Sequence, residues 1–225
     1  LRRGDFNEAS VLVPELLKES GVHQVIAPFP TEISRLWATV GDFRIILYPF
    51  VNGEDGFERA PSNTHWHGLG VVLKHLHSLS LPVDVESAIP REDFSNMWRE
   101  AVREYQNKVQ NAQFSDPISA ELAEFLGEKQ DVIERLCQRA DELAGLMREK
   151  TLPYVVCHAD IHVGNMLIDD NDRLYVVDWD TLVLAPKERD LMFIGAGIGI
   201  APSQEAEAQF YEGYGQTEID PVGIT

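Results

Sequence analysis

The chain has 225 residues, 44% of them hydrophobic and 25% charged, which is ordinary for a globular protein of one or two domains. A net charge of −18 argues against a nucleic-acid partner, which would need a basic surface. No signal peptide is recognisable, and no apolar stretch approaches the roughly 20 residues that cross a bilayer, so we expect no membrane partner. Because Cys137 and Cys157 form no CxxC pair, they indicate a reducing compartment, and we expect a cytoplasmic protein.

The acid excess is concentrated in residues 151–225, which carry 13 acidic and 3 basic residues. A negative surface attracts cations over long distances, so this pattern favours a positively charged small-molecule substrate. Acidic surfaces also serve solubility alone, and composition does not decide between the two interpretations. The oligomeric state is left open.

The start of the chain alternates one helical pattern with strand-like segments. A helix is predicted between Ser10, as its N-cap, and Gly21, as its stop. Residues 23–28 and 42–50 favour strands, the second through its β-branched and aromatic content. The turn-rich residues 49–56 follow and are predicted to be a hinge between two lobes.

The middle of the chain is predicted to be helical. Residues 63–80 have apolar positions at the spacing of one buried helix face, namely Leu69, Val72, Leu73 and Leu76. Residues 91–113 and 117–150 are predicted to be two more helices, the second starting at Pro117. A further helix is predicted at residues 205–214.

A different pattern begins at residue 154. A short strand at residues 154–157 leads into the polar loop HADIHVGN. Residues 166–168 and 174–179 are predicted to be strands joined by the turn DDNDR, and therefore to form a hairpin.

Three residues of this segment have the chemistry that phosphoryl transfer needs. Asp160 follows a strand, where its carboxylate can orient an attacking hydroxyl. Asn165 lies five residues later and offers an oxygen ligand suited to Mg²⁺. The hairpin returns Asp178 towards Asn165, and the same five-residue separation occurs in the catalytic loop of protein kinases. We therefore predict a magnesium-dependent phosphoryl-transfer site on these residues.

The segments HADIHVGNMLI and LYVVDWDTLVLAPKERDLMFIG resemble the aminoglycoside phosphotransferase family, most closely its spectinomycin-phosphotransferase-like branch. The resemblance implies an α+β, protein-kinase-like, two-lobe fold with a reduced N-terminal lobe. It implies lobes at residues 1–52, for nucleotide binding and the hinge, and 53–225, for catalysis and substrate binding. The implied reaction transfers the γ-phosphate of ATP or GTP, with Mg²⁺, to a hydroxyl of an aminoglycoside or aminocyclitol antibiotic, which would confer antibiotic resistance.

The resemblance also implies roles for individual residues. Asp160 is the implied catalytic base, with Asn165 and Asp178 as magnesium ligands and His158 as a structural residue that braces the loop. The implied nucleotide contacts are Tyr48, Pro49, Phe50 and Val51 in the hinge, with Leu167 and Val177 beside the adenine.

Two features of such kinases are missing from this sequence. There is no glycine-rich loop and no strand lysine ahead of the first helix, although Glu15 or Glu19 could pair with that lysine. We expect the chain to be part of a longer protein. A non-catalytic kinase-like binding domain is the alternative.

Further alternatives concern the substrate and the acidic and histidine residues. The same chemistry could act on a metabolite such as choline, homoserine or a sugar amine. Asp180 is a candidate for binding the substrate's ammonium groups, and Arg189 with Asp190 is expected to brace the loop as an ion pair. A metal-dependent hydrolase would use His158 and His162 as ligands, whereas a kinase would use both as structural residues.

Overall fold

The computed structural model describes residues 2–3, 6–112, 114–196 and 202–224. In chain order its elements are β1 (Arg2–Arg3), α1 (Ala9–Glu19), β2 (Ala38–Val40), β3 (Phe43–Ile45), β4 (Gly53–Asp55), α2 (Asn63–His77), α3 (Val83–Ala88), α4 (Met97–Asn111), α5 (Pro117–Glu128), α6 (Gln130–Glu149), β5 (Val155–Cys157), β6 (Met166–Asp169), β7 (Leu174–Val176), β8 (Val183–Ala185), α7 (Glu188–Ala196) and α8 (Gln204–Tyr214).

The chain folds as two compact units, of which the first contains residues 1–91 and 153–224 and the second residues 92–152. The predicted boundary between two lobes at residue 52 does not correspond to the boundary between these two units, and it stays a prediction. Within the first unit the strands form three small sheets, in the orders β1–β3–β2, β4–β6–β7 and β5–β8, all with antiparallel pairing.

The predicted N-terminal strands are shorter than expected. Residues 23–28 form no strand, and only Val25 pairs, through an isolated parallel bridge to Val176. In the second predicted strand only Phe43–Ile45 is extended and paired. The prolines explain part of the difference, since Pro28 in the first segment and Pro49 in the second have no N–H to donate to a ladder.

Helix α2 is well predicted. Ser62 caps it by accepting a hydrogen bond from the His65 backbone, while the His65 ring accepts one from the Ser62 backbone. The four apolar residues of its predicted face are at most 1% exposed, and they join the core of the first unit. The helix ends at His77, three residues earlier than residue 80.

The second unit consists of α4, α5 and α6. The predicted single helix at residues 117–150 is two helices that meet near Lys129, two residues after Gly127, a weak helix former. Pro117 is the first residue of α5, as predicted, and Asp116 caps it. No helix in the described ranges is both long enough and apolar enough to cross a membrane.

Helices α2 and α8 approach each other closely at a pair of glycines. A Cβ added to Gly70 would lie 2.1 Å from the carbonyl oxygen of Phe210, and one added to Gly213 would lie 2.1 Å from that of His67. Both distances are far below van der Waals contact with backbone atoms that cannot rotate away. The glycines therefore set the separation of the two helices, and with it the positions of residues near their C-terminal ends.

We predict that Gly70→Ala lowers the free energy of unfolding by about 1–3 kcal/mol or more, because the methyl group forces α2 away from α8. A matched control is Gly145→Ala in α6, where an added Cβ meets no atom within 4 Å. There we expect a gain of about 0.5–1 kcal/mol from helix propensity. Urea unfolding of the two variants measures both effects, and equal stabilisation by both changes would contradict the close approach.

Candidate active site

The loop that contains Asp160 runs from the end of β5 to the start of β6. Its last residues form a single 3-10 turn, Val163–Asn165, capped by His162, whose Nδ1 accepts a hydrogen bond from the Gly164 backbone at 3.0 Å. The side chain of Asp160 is 38% exposed. It is therefore open to a substrate although the loop around it is largely buried.

Asn165 connects the two ends of this loop. Its Nδ2 donates to the backbone oxygen of Asp160 at 2.8 Å and lies 3.3 Å from Asp160 Oδ2. Asn165 is only 7% exposed. Because its amide nitrogen is directed to Asp160, its amide oxygen is the atom that could bind a cation.

The hairpin of β6 and β7 returns the chain to this loop, as predicted. Met166 pairs with Val176, and the Val177 N–H donates to the Asn165 carbonyl oxygen at 3.1 Å. Asp178, the next residue, is exposed and has a left-handed backbone, with φ of 63°. That conformation is costly for a residue with a side chain and is typical of functional sites.

His158 links the loop to the end of the hairpin. Its side chain is fully buried, its Nε2 donates to the Val177 carbonyl oxygen at 2.9 Å, and its ring lies 4.8 Å from that of Trp179. The charges of Asp160 and Asp178 both act on its pKa, so both carboxylates lie near this one imidazole.

Asp190 of α7 holds the start of the loop. Its carboxylate accepts hydrogen bonds from the backbone N–H groups of His158, at 2.9 Å, and Ala159, at 2.7 Å. The ion pair predicted with Arg189 is not its contact, because Asp190 pairs instead with His77, at 2.9 Å. Arg189 was expected as the partner because it is adjacent in sequence, but adjacent residues on a helix point in different directions.

A cavity of about 420 Å³ opens beside Asp178. Five residues predicted for the nucleotide and substrate sites line it, namely Tyr48, Pro49, Val177, Asp178 and Asp180. Its other lining residues were not predicted and are Ile26, Ile46, Val176 and Trp179. The apolar run of residues 42–50 contained a signal for Ile46, whereas Ile26 reaches the cavity because its neighbour Val25 pairs with Val176.

The remaining predicted nucleotide contacts are not among the residues that line this cavity. Phe50 is 90% exposed, and Val51 and Leu167 are partly buried. Glu15 lies half-buried on α1. For these four residues the nucleotide-binding role stays a prediction.

The histidine pair expected for a hydrolase is occupied by other contacts. The Nε2 of His158 bonds to Val177, and the Nδ1 of His162 accepts from Gly164. His162 Nε2 lies 3.7 Å from Asp160 Oδ2, beyond hydrogen-bond distance. These contacts fit the predicted structural role of the two imidazoles in the loop, and that role stays a prediction.

The buried His158 gives a pH-dependent contribution to stability. Burial lowers the pKa of His158 below its ordinary value, because an imidazolium would lose its hydration, although Asp190 opposes the effect. Below about pH 6.5 the unfolded chain therefore binds more protons than the folded chain, and the free energy of unfolding decreases.

We expect His158→Gln, which keeps an N–H for Val177 but does not titrate, to lose less stability than the unmodified protein between about pH 7.5 and pH 5.5. Thermal unfolding at several pH values measures the difference. Parallel melting-temperature curves for the two proteins would contradict a neutral buried His158.

Comparison with known proteins gives a consistent result. The family model described as "Phosphotransferase enzyme family" matches residues 6–223. Protein StrN of Streptomyces griseus is 28% identical over 204 residues, which are 88% of this chain and 63% of StrN. The chain thus spans less than two thirds of that relative's length.

Two solved structures are similar over almost the whole chain. Spectinomycin phosphotransferase APH(9)-Ia in complex with ADP and spectinomycin has a TM-score of 0.91 at 34% identity, covering 99% of this chain and 68% of that one. Its AMP-bound complex has a TM-score of 0.88 at 33% identity, covering 100% and 71%. These matches confirm the predicted kinase-like fold, and the chain belongs to the phosphotransferase enzyme family.

Proposed function

We propose that this protein transfers the γ-phosphate of a nucleoside triphosphate to a hydroxyl of a small cationic molecule, namely an aminocyclitol or aminoglycoside antibiotic. The observation that carries the proposal is the fixed loop in which Asn165 bonds to Asp160 beside the cavity that Asp178 lines. The similarity to an enzyme whose structure contains ADP and spectinomycin supports both the donor and the acceptor class.

Asp160 has the environment of a residue that orients a hydroxyl. Its Oδ2 faces the Asn165 amide, so its Oδ1 is the oxygen more open to a substrate. As the hydroxyl oxygen bonds to the γ-phosphorus, its proton passes to this carboxylate, and the bond from the γ-phosphorus to the β-γ bridging oxygen breaks to release the nucleoside diphosphate.

The oxygen atoms near Asp160 suit Mg²⁺. Carboxylate and amide oxygens are the ligands that this cation prefers. The described hydrogen bonds of the Asn165 side chain use its amide nitrogen and not its oxygen, and Asp178 is exposed. Bound there, Mg²⁺ would neutralise charge on the nucleotide phosphates. We propose that these two residues hold the ion.

The cavity is suited to the nucleotide base. Ile26, Ile46 and Val176 supply apolar walls, and the backbone of Tyr48 and Pro49 follows one side. Apolar walls beside backbone groups that no strand occupies suit a purine ring, with hydrogen bonds from the chain along its edge. ATP and GTP both satisfy this description.

The acceptor is proposed to be cationic. Asp180 is exposed two residues after the proposed metal ligand Asp178, and the chain has an acid excess in its last third. Clustered carboxylates favour a polyamine-like ligand.

We predict that Asp160→Asn lowers kcat by a factor of about 10² to 10⁴, because the amide cannot accept the hydroxyl proton, while the Kd for nucleotide is unchanged. The control is Asp170→Asn in the turn between β6 and β7, where the amide oxygen can still accept from Asn52. A coupled assay of nucleotide consumption measures kcat, and calorimetry measures Kd. Normal turnover of Asp160→Asn would disprove the assigned role.

We predict that Asp178→Asn acts differently and weakens binding of the magnesium–nucleotide complex by about tenfold or more, since one carboxylate ligand is lost. Nucleotide titrations with and without Mg²⁺ separate this effect from damage to the pocket. If Asp178→Asn left the magnesium dependence of binding unchanged, Asp178 would not be a ligand.

The substrate class is tested with a panel. We expect phosphorylation of aminocyclitols or aminoglycosides and not of choline, homoserine or neutral sugars. Turnover of choline or homoserine alone would replace the antibiotic with a metabolite, and nucleotide binding without any turnover across the panel would favour a non-catalytic binding domain.

A further inference from the structure

A continuous set of buried hydrogen bonds connects the ends of α2 and α8 to the loop of Asp160. The hydroxyl of Tyr214 lies 2.8 Å from His77 Nδ1, and His77 Nε2 lies 2.9 Å from Asp190 Oδ2. Asp190 then accepts from the N–H groups of His158 and Ala159. The side chains of His77 and Asp190 are 4% and 0% exposed.

The proton positions along these contacts follow from the chemistry of the groups. The pKa of Asp190 lies below its usual range, since the hydrogen bond from His77 and the backbone N–H groups outweigh the cost of burial. An ionised carboxylate only accepts, so Nε2 of His77 carries the proton. Burial raises the pKa of Tyr214, so its hydroxyl keeps its proton beside Nδ1 of His77.

These contacts end at a strained residue next to Asp160. Ala159 has φ of 67°, in the left-handed region, which is strained for a residue with a side chain. Two successive N–H groups can converge on one carboxylate because of this conformation. If the Asp190 side chain rotated, the loop would lose both hydrogen bonds, and its strained conformation would no longer be stabilised by them.

We propose that His77 is a positioning residue for phosphoryl transfer, which holds the Asp190 carboxylate in one rotamer and thereby sets the place of Asp160. The proposal rests on the proposed function of Asp160. It makes no use of the cavity or of the hinge, so nucleotide binding is expected to be independent of His77.

A metal ion is a poorer account of the same cluster. One ligand atom each from His77, Cys157 and Asp190 lies within 4.8 Å of the others. However, the His77 and Asp190 atoms already bond to each other, and the thiol of Cys157 points to the carbonyl oxygens of Ala185 and Pro186. Burial also raises the pKa of Cys157, whereas a metal needs the thiolate.

Two substitutions distinguish the roles of the two ring nitrogens of His77. In His77→Gln the amide can place an N–H where Nε2 was, and so can keep the contact to Asp190. In His77→Asn the shorter amide reaches only the position of Nδ1, and the contact to Asp190 is lost. The matched control is His75→Asn in the same helix turn, where the ring is exposed and bonds only to the Val71 backbone.

We expect His77→Asn to lower kcat by up to about 100-fold with KM for the nucleotide unchanged, as for other changes that misplace a reacting group from a distance. The kcat of His77→Gln is expected to stay within about threefold of that of the unmodified protein, and the kcat of His75→Asn is expected to equal it. Amide hydrogen exchange gives a readout without turnover, in which the N–H of Ala159 exchanges faster in His77→Asn and is unchanged in His77→Gln.

The results separate this proposal from the proposed function. Equal kcat for His77→Asn and His77→Gln, or unchanged exchange at Ala159 in a folded His77→Asn protein, would overturn the role of His77. A parallel loss of kcat, nucleotide affinity and melting temperature would also overturn it, because that is the result of general destabilisation. If the unmodified protein phosphorylates nothing, the proposed function fails, and exchange at Ala159 still tests His77.

A second variant is available should His77→Asn not fold. Tyr214→Phe removes only the hydroxyl at the start of the same contacts and is expected to give a smaller fall in kcat. No fall in kcat and no change in exchange at Ala159 would again overturn the proposal.

Discussion

The candidate active site depends on one buried carboxylate, that of Asp190. A charge inside the protein is tolerable only when hydrogen bonds replace the water that it has lost, and Asp190 has three such bonds. Two of them come from consecutive N–H groups of the loop, beside the left-handed Ala159. The hydrogen bonds therefore stabilise both the buried carboxylate and the strained backbone of the loop.

The rest of the loop is fixed at independent points. Thr181 donates to the His158 carbonyl oxygen at 2.8 Å, and His158 itself donates to Val177, so the start of the loop is tied to the end of the hairpin. Asn165 ties the end of the loop to Asp160. Phosphoryl transfer relies on positioning, and this arrangement concentrates rigid contacts around one exposed carboxylate. The same contacts explain why Asp178 comes near the loop although it is far along the chain.

The sequence was informative where function depends on local order. A strand, a loop and a hairpin that follow one another leave few ways to place Asp160, Asn165 and Asp178, and the hairpin formed as expected. It was uninformative where distant segments meet. Nothing in the pattern of α2 pairs His77 with Asp190, because the two lie 113 residues apart and their contact depends on packing. The family resemblance implied a hinge contact for Phe50, and exposure of this side chain leaves that role a prediction, because a hinge binds adenine through backbone atoms.

Charge illustrates the same difference between composition and placement. The net charge of −18 acts weakly at a distance, since salt screens exposed charges beyond about 8–10 Å. Asp178 and Asp180 are exposed, lie two residues apart and line one cavity, so they act on any ligand there at short range. Two carboxylates so placed repel each other and make a bound cation favourable, whether it is a metal ion or an ammonium group. The attraction that we propose for a cationic ligand would therefore depend on this local pair, which the charge of the whole chain could suggest but not locate.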